Sequence, residues 1–314
     1  VTAKATDATS LGPGAEFDVI RQMSDRWGAR ASGVGDDAAI LRVPRGDSLV
    51  VSTDTAVEGR HFKRAWLSSR QIGYRSVVAA LSDLAAMAAR PIGVLVAVTV
   101  PDAWRGELLE IADGVGDAVD VAQTHIIGGN LSAGTELSIT TTVLGAAFAP
   151  LRRSGARLDD RVYVTGELGG PVEAVRRLSL GQMADSFGDR FARPIPRLAE
   201  ARWLVERGAT AGIDISDGLI ADLRHVAAAS QVAIDIDDRR IPVFDGADIA
   251  SALHGGDEYE IVVTAPHDID REEFQRCFGL RLSEIGRVVS APDTDVTVRG
   301  ARVANAAGYD HFSH

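Results

Sequence analysis

Helix-like and strand-like stretches alternate along this chain in both halves, and one polar stretch separates them. Residues 150–160 carry three arginines and one glycine between apolar segments, the composition of a boundary. Before it, the spacing predicts a helix at 16–27, strands at 38–43 and 49–53, and an Ala/Leu/Val-rich helix at 69–89. A buried strand at 92–100, a helix at 105–122, and strands at 125–127 and 137–147 follow. After it come strands at 161–165, 211–215, 232–236, 261–264, 283–289 and 295–298, with helices at 171–180, 197–207, 218–230 and 271–278. Alternation of periods 2 and 3.6 implies strands packed against helices, hence α/β or α+β domains. The expected division is a flexible leader at 1–13, an N-terminal domain at 14–149 and a C-terminal domain at 150–314.

Length agrees: 314 residues suit two domains of about 150 each. Composition then removes whole classes. The net charge is −11, and such a surface repels both nucleic acid and anionic membranes. One cysteine, Cys277, forbids an internal disulfide and leaves a thiolate zinc site without ligands. The longest apolar run, 92–100, falls far short of the roughly 20 residues a span needs. The first ten residues lack a signal-peptide core. These features predict a cytoplasmic protein.

The acidity is not evenly spread. Gly35-Asp36-Asp37, Ser52-Thr53-Asp54, Leu81-Ser82-Asp83 and Asp214-Ile215-Ser216-Asp217-Gly218 each put aspartate at or near the end of an apolar element. Gly128-Gly129-Asn130 repeats the form with an amide. Taken singly, such an aspartate is a helix cap or a turn residue. Asp83 is different, because it interrupts an apolar helical pattern where an unpaired carboxylate is costly. Together these segments offer hard oxygen ligands, the donor type of Mg²⁺ shared with substrate phosphates. Gly166-Glu167-Leu168-Gly169-Gly170, between a strand and a helix, reads as a tight turn or a phosphate-facing backbone. It matches neither the P-loop nor the dinucleotide fingerprint, and Ser216 is not in a nucleophile elbow.

In this order, these segments resemble the thiamine-monophosphate kinase family, within the superfamily of aminoimidazole ribonucleotide synthetase and selenophosphate synthetase. The resemblance runs through G-V-G-D-D-A-A at 33–39, S-T-D-T-A-V-E-G-R-H-F at 52–62, L-S-D-L-A-A-M-A-A-R-P at 81–91 and I-I-G-G-N at 126–130. It continues in R-S-G-A at 153–156, V-T-G-E-L-G at 164–169, R-P-I-P-R at 193–197, D-I-S-D-G-L at 214–219, G-G-D-E-Y-E at 255–260 and G-Y-D-H-F at 308–312.

The resemblance implies two α/β (α+β) domains, N-terminal domains pairing as a homodimer through a shared β-barrel, and a cleft holding ATP and thiamine monophosphate. It implies Mg²⁺ ligands at Asp37, Ser52, Thr53, Asp54, Asp83, Asp214 and Asp217, with Asp36 beside them. Gly129, Asn130, Arg153 and Ser216 would meet ATP. His61, Tyr309 and Asp257 or Glu258 would meet the thiamine moiety. No side chain beyond metal and phosphate positioning is implied as catalytic. Three positions depart from the family pattern: Asn130 stands for Asp, Asp257-Glu258 reverses Glu-Asp, and Tyr309 stands where Trp is common. The first and second raise two other readings, a nucleotide-binding homologue without transfer activity and an ATP-using enzyme with another acceptor.

Overall fold

The computed structural model describes residues 15–32, 34, 39, 41–290 and 295–303. They fall into two compact units, one within 1–84 and 89–149, the other within 85–88 and 150–314.

The first unit runs α1 (Ala15–Trp27), β1 (Ser48–Val57), α2 (Ser69–Ala86), β2 (Arg90–Val100), α3 (Leu108–Val121), β3 (Ile126–Ala133) and β4 (Ser138–Ala147). Its strands form one sheet in the order β1-β4-β2-β3. β4 is antiparallel to both neighbours, whereas β3 lies parallel to β2. A parallel pair needs a crossover, and α3 supplies it.

The sheet has two unlike faces. Val94, Val96, Val98, Ile139, Thr141 and Val143 are buried on one of them, which α2 covers. On the other, Leu49, Val51, Leu95, Ala97 and Leu144 stay at least half exposed or intermediate, between rows of threonine. Thr53 meets Thr142 at 3.0 Å and Thr55 meets Thr140 at 2.9 Å on that face. β2, expected as a buried strand, is buried on the covered face and half-buried on the other.

Helix packing here depends on two glycines. A Cβ on Gly73 of α2 would lie 2.1 Å from the Ile111 carbonyl oxygen, and one on Gly114 of α3 would lie 1.9 Å from that of Arg70. The helices cross backbone to backbone at this point. α1 is pinned to α3 by the Trp27 indole N–H, which donates to the Ala112 carbonyl at 2.7 Å. Asp113, Asp117 and Asp120 follow one stripe of α3 and pair with Arg26, Arg70 and Arg30. Part of this unit's acidity thus serves surface ion pairs, which water screens and which add little stability.

The second unit runs β5 (Arg161–Thr165), α4 (Gly170–Ser179), α5 (Asp185–Ala192), α6 (Leu198–Glu206), β6 (Ala211–Asp214) and α7 (Leu219–Ser230). Then come β7 (Ala233–Ile236), α8 (Ile249–His254), β8 (Ile261–Ala265), α9 (Arg271–Phe278), β9 (Leu282–Val289), β10 (Val296–Val298) and β11 (Ala301–Arg302). The sheet order is β11-β10-β7-β9-β5-β8-β6. Leu219, Leu223 and Val226 of α7 pack on Val162, Ile213, Ile234, Val262 and Ile285. A separate aromatic cluster joins α6 to α9, with Trp203 and Phe278 set around Phe274 at 5.4 and 4.9 Å between ring centroids.

Several elements differ from expectation: β1 runs on to Val57, α2 ends at Ala86 and β11 is an added strand. Residues 39 and 41–43 form no strand, and 38 and 40 lie outside the described residues. β3 extends to Ala133, because the parallel ladder with β2 overrides the poor strand propensity of Gly128-Gly129-Asn130. α5 and α8 were not expected; they have 8 and 6 residues, too few for a periodic signal to stand out.

Candidate active site

In the first unit, the structure brings Ser52, Asp54 and Asp83 to one face. Ser52 and Asp54 pair with Val143 and Thr141, so their side chains share the covered face. Asp83 faces the same way from the interior of α2, and the Ser52 hydroxyl donates to its Oδ2 at 2.5 Å. That bond answers the puzzle of a carboxylate inside an apolar helix. Asp54 is exposed, and its Oδ1 accepts the Thr55 N–H at 2.7 Å.

Two expected partners face away. The Thr53 hydroxyl lies on the opposite face with Thr142, so only its main chain remains on the side of Ser52 and Asp54. Asn130 pairs with Ala97 in register with Thr140, which also places its side chain on that opposite face. Gly129 pairs with Val96, and a Cβ there would meet the Val96 carbonyl oxygen at 1.9 Å. Glycine is required at 129 by strand packing, whatever else it does. His61 is half-buried, its ring fixed by the Val57 N–H donating to Nδ1 at 3.0 Å. Asp36, Asp37 and Tyr309 lie outside the described residues.

In the second unit, segments far apart in sequence converge. β6 ends at Asp214, and the turn after it carries Ser216 and Asp217. Its carbonyls are taken by the 255–260 loop: the Asp257 N–H donates to Ser216 at 2.8 Å and the Tyr259 N–H to Ile215 at 2.9 Å. The Ile215 N–H donates to the Glu260 carbonyl of the same loop at 2.8 Å, and the next three amides are taken from the other side by Asp222 in the first turn of α7. Oδ2 of Asp222 accepts from Ser216 at 3.0 Å, Asp217 at 3.1 Å and Gly218 at 3.1 Å. Burial and the nearby Asp214 push the Asp222 carboxyl up to about 7, against the pull of the donated N–H groups. Beside β6 runs the R-S-G-A loop. The Gly212 N–H donates to the Arg152 carbonyl at 3.0 Å. At the far end of α7 the Ser230 hydroxyl accepts from Gly155 and Ala156 and donates to the Arg153 carbonyl.

The 255–260 loop divides its acids sharply. Asp257 is partly exposed, held at φ 64°, and its Oδ1 accepts the Tyr259 hydroxyl at 2.9 Å. Glu258 is 0 % exposed. Its Oε1 accepts the Gly169 N–H at 2.5 Å, while its Oε2 has no hydrogen-bond partner and sits 3.7 Å from Arg190. Burial pushes this carboxyl up to about 8; Arg190 and the Gly169 N–H oppose the rise, and Glu260 and Asp257 add to it. Glu258 is placed as an interior tie to the G-E-L-G-G turn, away from solvent.

Glu260, also buried, is the reverse case. Arg197 grips it with two bonds of 2.8 and 2.6 Å, Arg190 adds one at 2.6 Å, and the Thr165 hydroxyl one at 2.6 Å. Burial alone would raise its pKa, but the two guanidinium groups outweigh it and hold the carboxyl below the usual range. Four of the motifs in this half, at 164–169, 193–197, 214–219 and 255–260, thus meet around one charged network and one turn, while R-S-G-A is held at the far end of α7.

Among the described residues, no three of His, Cys, Asp and Glu lie close enough to hold a metal ion. The donors that do gather are all oxygen, the set suited to Mg²⁺ rather than to softer metals. Asp222, Ser230 and Glu260 escape a reading of the sequence because an Asp, Ser or Glu on a helix or strand looks solvated.

Comparison with known proteins decides the family. The AIR synthase related protein N-terminal domain matches residues 35–147, and its C-terminal domain matches 158–299. Thiamine-monophosphate kinase of Escherichia coli K12 is 32% identical, covering 95% of this chain and 98% of its own. The chain belongs to the thiamine-monophosphate kinase family. Its fold is the two-domain α/β arrangement of AIR synthase related proteins. The thiamine-monophosphate kinase of Stenotrophomonas maltophilia K279a superposes with a TM-score of 0.82 at 33% identity, over 93% of this chain and 98% of that one. A second structure of the family, AaThiL complexed with AMPPCP and TMP, superposes with 0.78 at 28% identity, over 96% of this chain and 100% of that one. Among the described residues, no helix is long and apolar enough to cross a membrane.

Proposed function

We propose that this protein transfers the γ-phosphoryl group of ATP to the phosphate of thiamine monophosphate, giving thiamine diphosphate and ADP. The carrying observation is the near full-length likeness to a family member complexed with AMPPCP, an ATP analogue, and TMP, read as thiamine monophosphate.

The acceptor is a phosphate oxygen that is already ionised near neutral pH. Transfer then needs alignment of that oxygen with the γ-phosphorus and neutralisation of charge, with no strong base. Asp54, Ser52 and Asp83 of the first unit, with Asp37, are the donors we assign to Mg²⁺, and Asp214 and Asp217 those of the second. Mg²⁺, when bound, screens the two sets of phosphate charge. The protein's own part is to hold these oxygens still: the Ser52–Asp83 bond does so in one unit and the doubly anchored 214–218 turn in the other. Arg153 and Ser216 are assigned to ATP, and His61, Asp257 and Tyr309 to the thiamine moiety. Of the reversed acid pair, Asp257 is the member able to meet a substrate, since Glu258 is enclosed.

The second face of the first unit's sheet, with Leu49 and Val51 about half exposed, supports the expected homodimer closed through a β-barrel. Sedimentation of wild type and Val51→Asp tests it, a dimer and a monomer being expected. Function is tested by incubating the protein with ATP, Mg²⁺ and thiamine monophosphate. Formation of thiamine diphosphate is expected; its absence across a range of Mg²⁺ and K⁺ overturns the assignment.

A further inference from the structure

Asp222 has no assigned role, and its position is unusual. It is 2 % exposed in the first turn of α7, where an aspartate normally faces solvent and favours the helix N-terminus. Here one oxygen collects three consecutive main-chain N–H groups, from Ser216, Asp217 and Gly218. Three successive amides converge on one acceptor only when the backbone curls around it, with the side chains radiating outward. Gly218 permits the curl, at φ 120° and with a Cβ that would meet the His254 carbonyl oxygen at 2.8 Å. The Asp222 N–H also donates to the Gly218 carbonyl at 2.9 Å, tying the turn to the helix at both main chain and side chain.

We infer that Asp222 is a positioning residue: it holds the 214–218 turn in the shape that presents the carboxylates of Asp214 and Asp217 together. The inference rests on the proposed assignment of those two carboxylates to Mg²⁺. The 255–260 loop holds the Ile215 and Ser216 carbonyls and the Ile215 N–H, so Asp222 is what remains to hold the three amides of 216–218. Deleting it strands three N–H groups in a partly buried turn, which must then rearrange to reach water. Oδ2 is committed to these three bonds, and asparagine at this position separates holding the turn from donation by Oδ1. Asparagine keeps an acceptor of the same shape at this position, whereas alanine keeps none.

The test compares Asp222→Asn and Asp222→Ala with wild type in three measurements: amide hydrogen exchange at 216–218 without metal, Mn²⁺ binding by calorimetry, and the Mg²⁺ dependence of turnover. In the alanine variant, exchange at these amides should rise about tenfold or more, and Mn²⁺ affinity should fall by a similar factor. Its half-saturating Mg²⁺ should rise more than its maximal rate falls. In the asparagine variant each quantity should stay within about threefold of wild type. Unchanged exchange in the alanine variant overturns the inference, as does faster exchange with unchanged Mn²⁺ affinity. An asparagine variant that protects the amides yet loses Mn²⁺ also overturns it, because the carboxylate would then be acting as a donor. The asparagine arm decides the matter if the alanine variant does not fold. Failure of the kinase assignment itself shows separately, as absence of thiamine diphosphate with wild-type protein, while exchange and Mn²⁺ binding still report on Asp222.

Discussion

Replacing Glu258 by glutamine should make the second unit more stable, and increasingly so as pH rises. The side chain is fully buried, one oxygen bonded to Gly169 and the other without a hydrogen-bond partner. Burial first, and then Glu260 and Asp257, bring its carboxyl to about 8, from an unfolded value near 4.3. Between those values the folded state keeps a proton that the unfolded chain releases. Stability from this group is therefore complete below about pH 4.3 and falls by about 1.4 kcal/mol per pH unit until about pH 8. Glutamine has the same shape, keeps an acceptor for Gly169 and does not titrate. From pH 5.5 to 7.5 the advantage of Glu258→Gln over wild type should grow by roughly 3 kcal/mol. For a unit of this size that is a divergence in Tm of about 6–10 °C. Calorimetric scans of both proteins at half-unit pH steps measure it. A difference in Tm that stays flat across the window refutes the reasoning, since it would mean that Glu258 titrates alike in the folded and unfolded states.

Arg197→Ala should cost about 3–5 kcal/mol, because it leaves the Glu260 carboxylate buried without its two-bond partner; Arg197→Lys should recover only part, for lack of the planar fork. Urea unfolding of the two variants measures both. Gly114→Ala drives a methyl into the Arg70 carbonyl, so α2 and α3 must separate, at a cost of about 1–3 kcal/mol and a lower melting temperature. Asp83→Asn retains an acceptor for the Ser52 hydroxyl and should leave Tm within about 2 °C, while reducing turnover by about 100-fold or more. Near-normal turnover in that variant removes Asp83 from the proposed Mg²⁺ set.

Long periodic elements were legible from the residues. α2, β2 and α7 carry unmistakable spacing, and the ordered acidic motifs pointed to a family that the relatives bear out. Fate inside the fold was less legible. Asp257 and Glu258 are neighbours of like charge, and only the left-handed turn at 257 sends one outward and the other inward. Thr53 and Asn130 sit in motifs beside Ser52 and Gly129, yet strand alternation turns their side chains to the other face of the sheet. A motif read as a line of letters ignores that reversal. The polar core of the second unit was hidden for a related reason: an acid and an arginine look like surface residues until the structure brings them face to face.

The network around Glu260 also sets an order of assembly. Glu260 lies 95 positions from Thr165 and 63 from Arg197 along the chain, and closing loops of that length is entropically slow to be rewarded. Until α5, α6, β5 and β8 have all arrived, Glu260 and its arginines are unmatched charges that water retains. The network can dehydrate only when the unit is almost complete, so the loops it ties together should acquire their shape in the last step of folding.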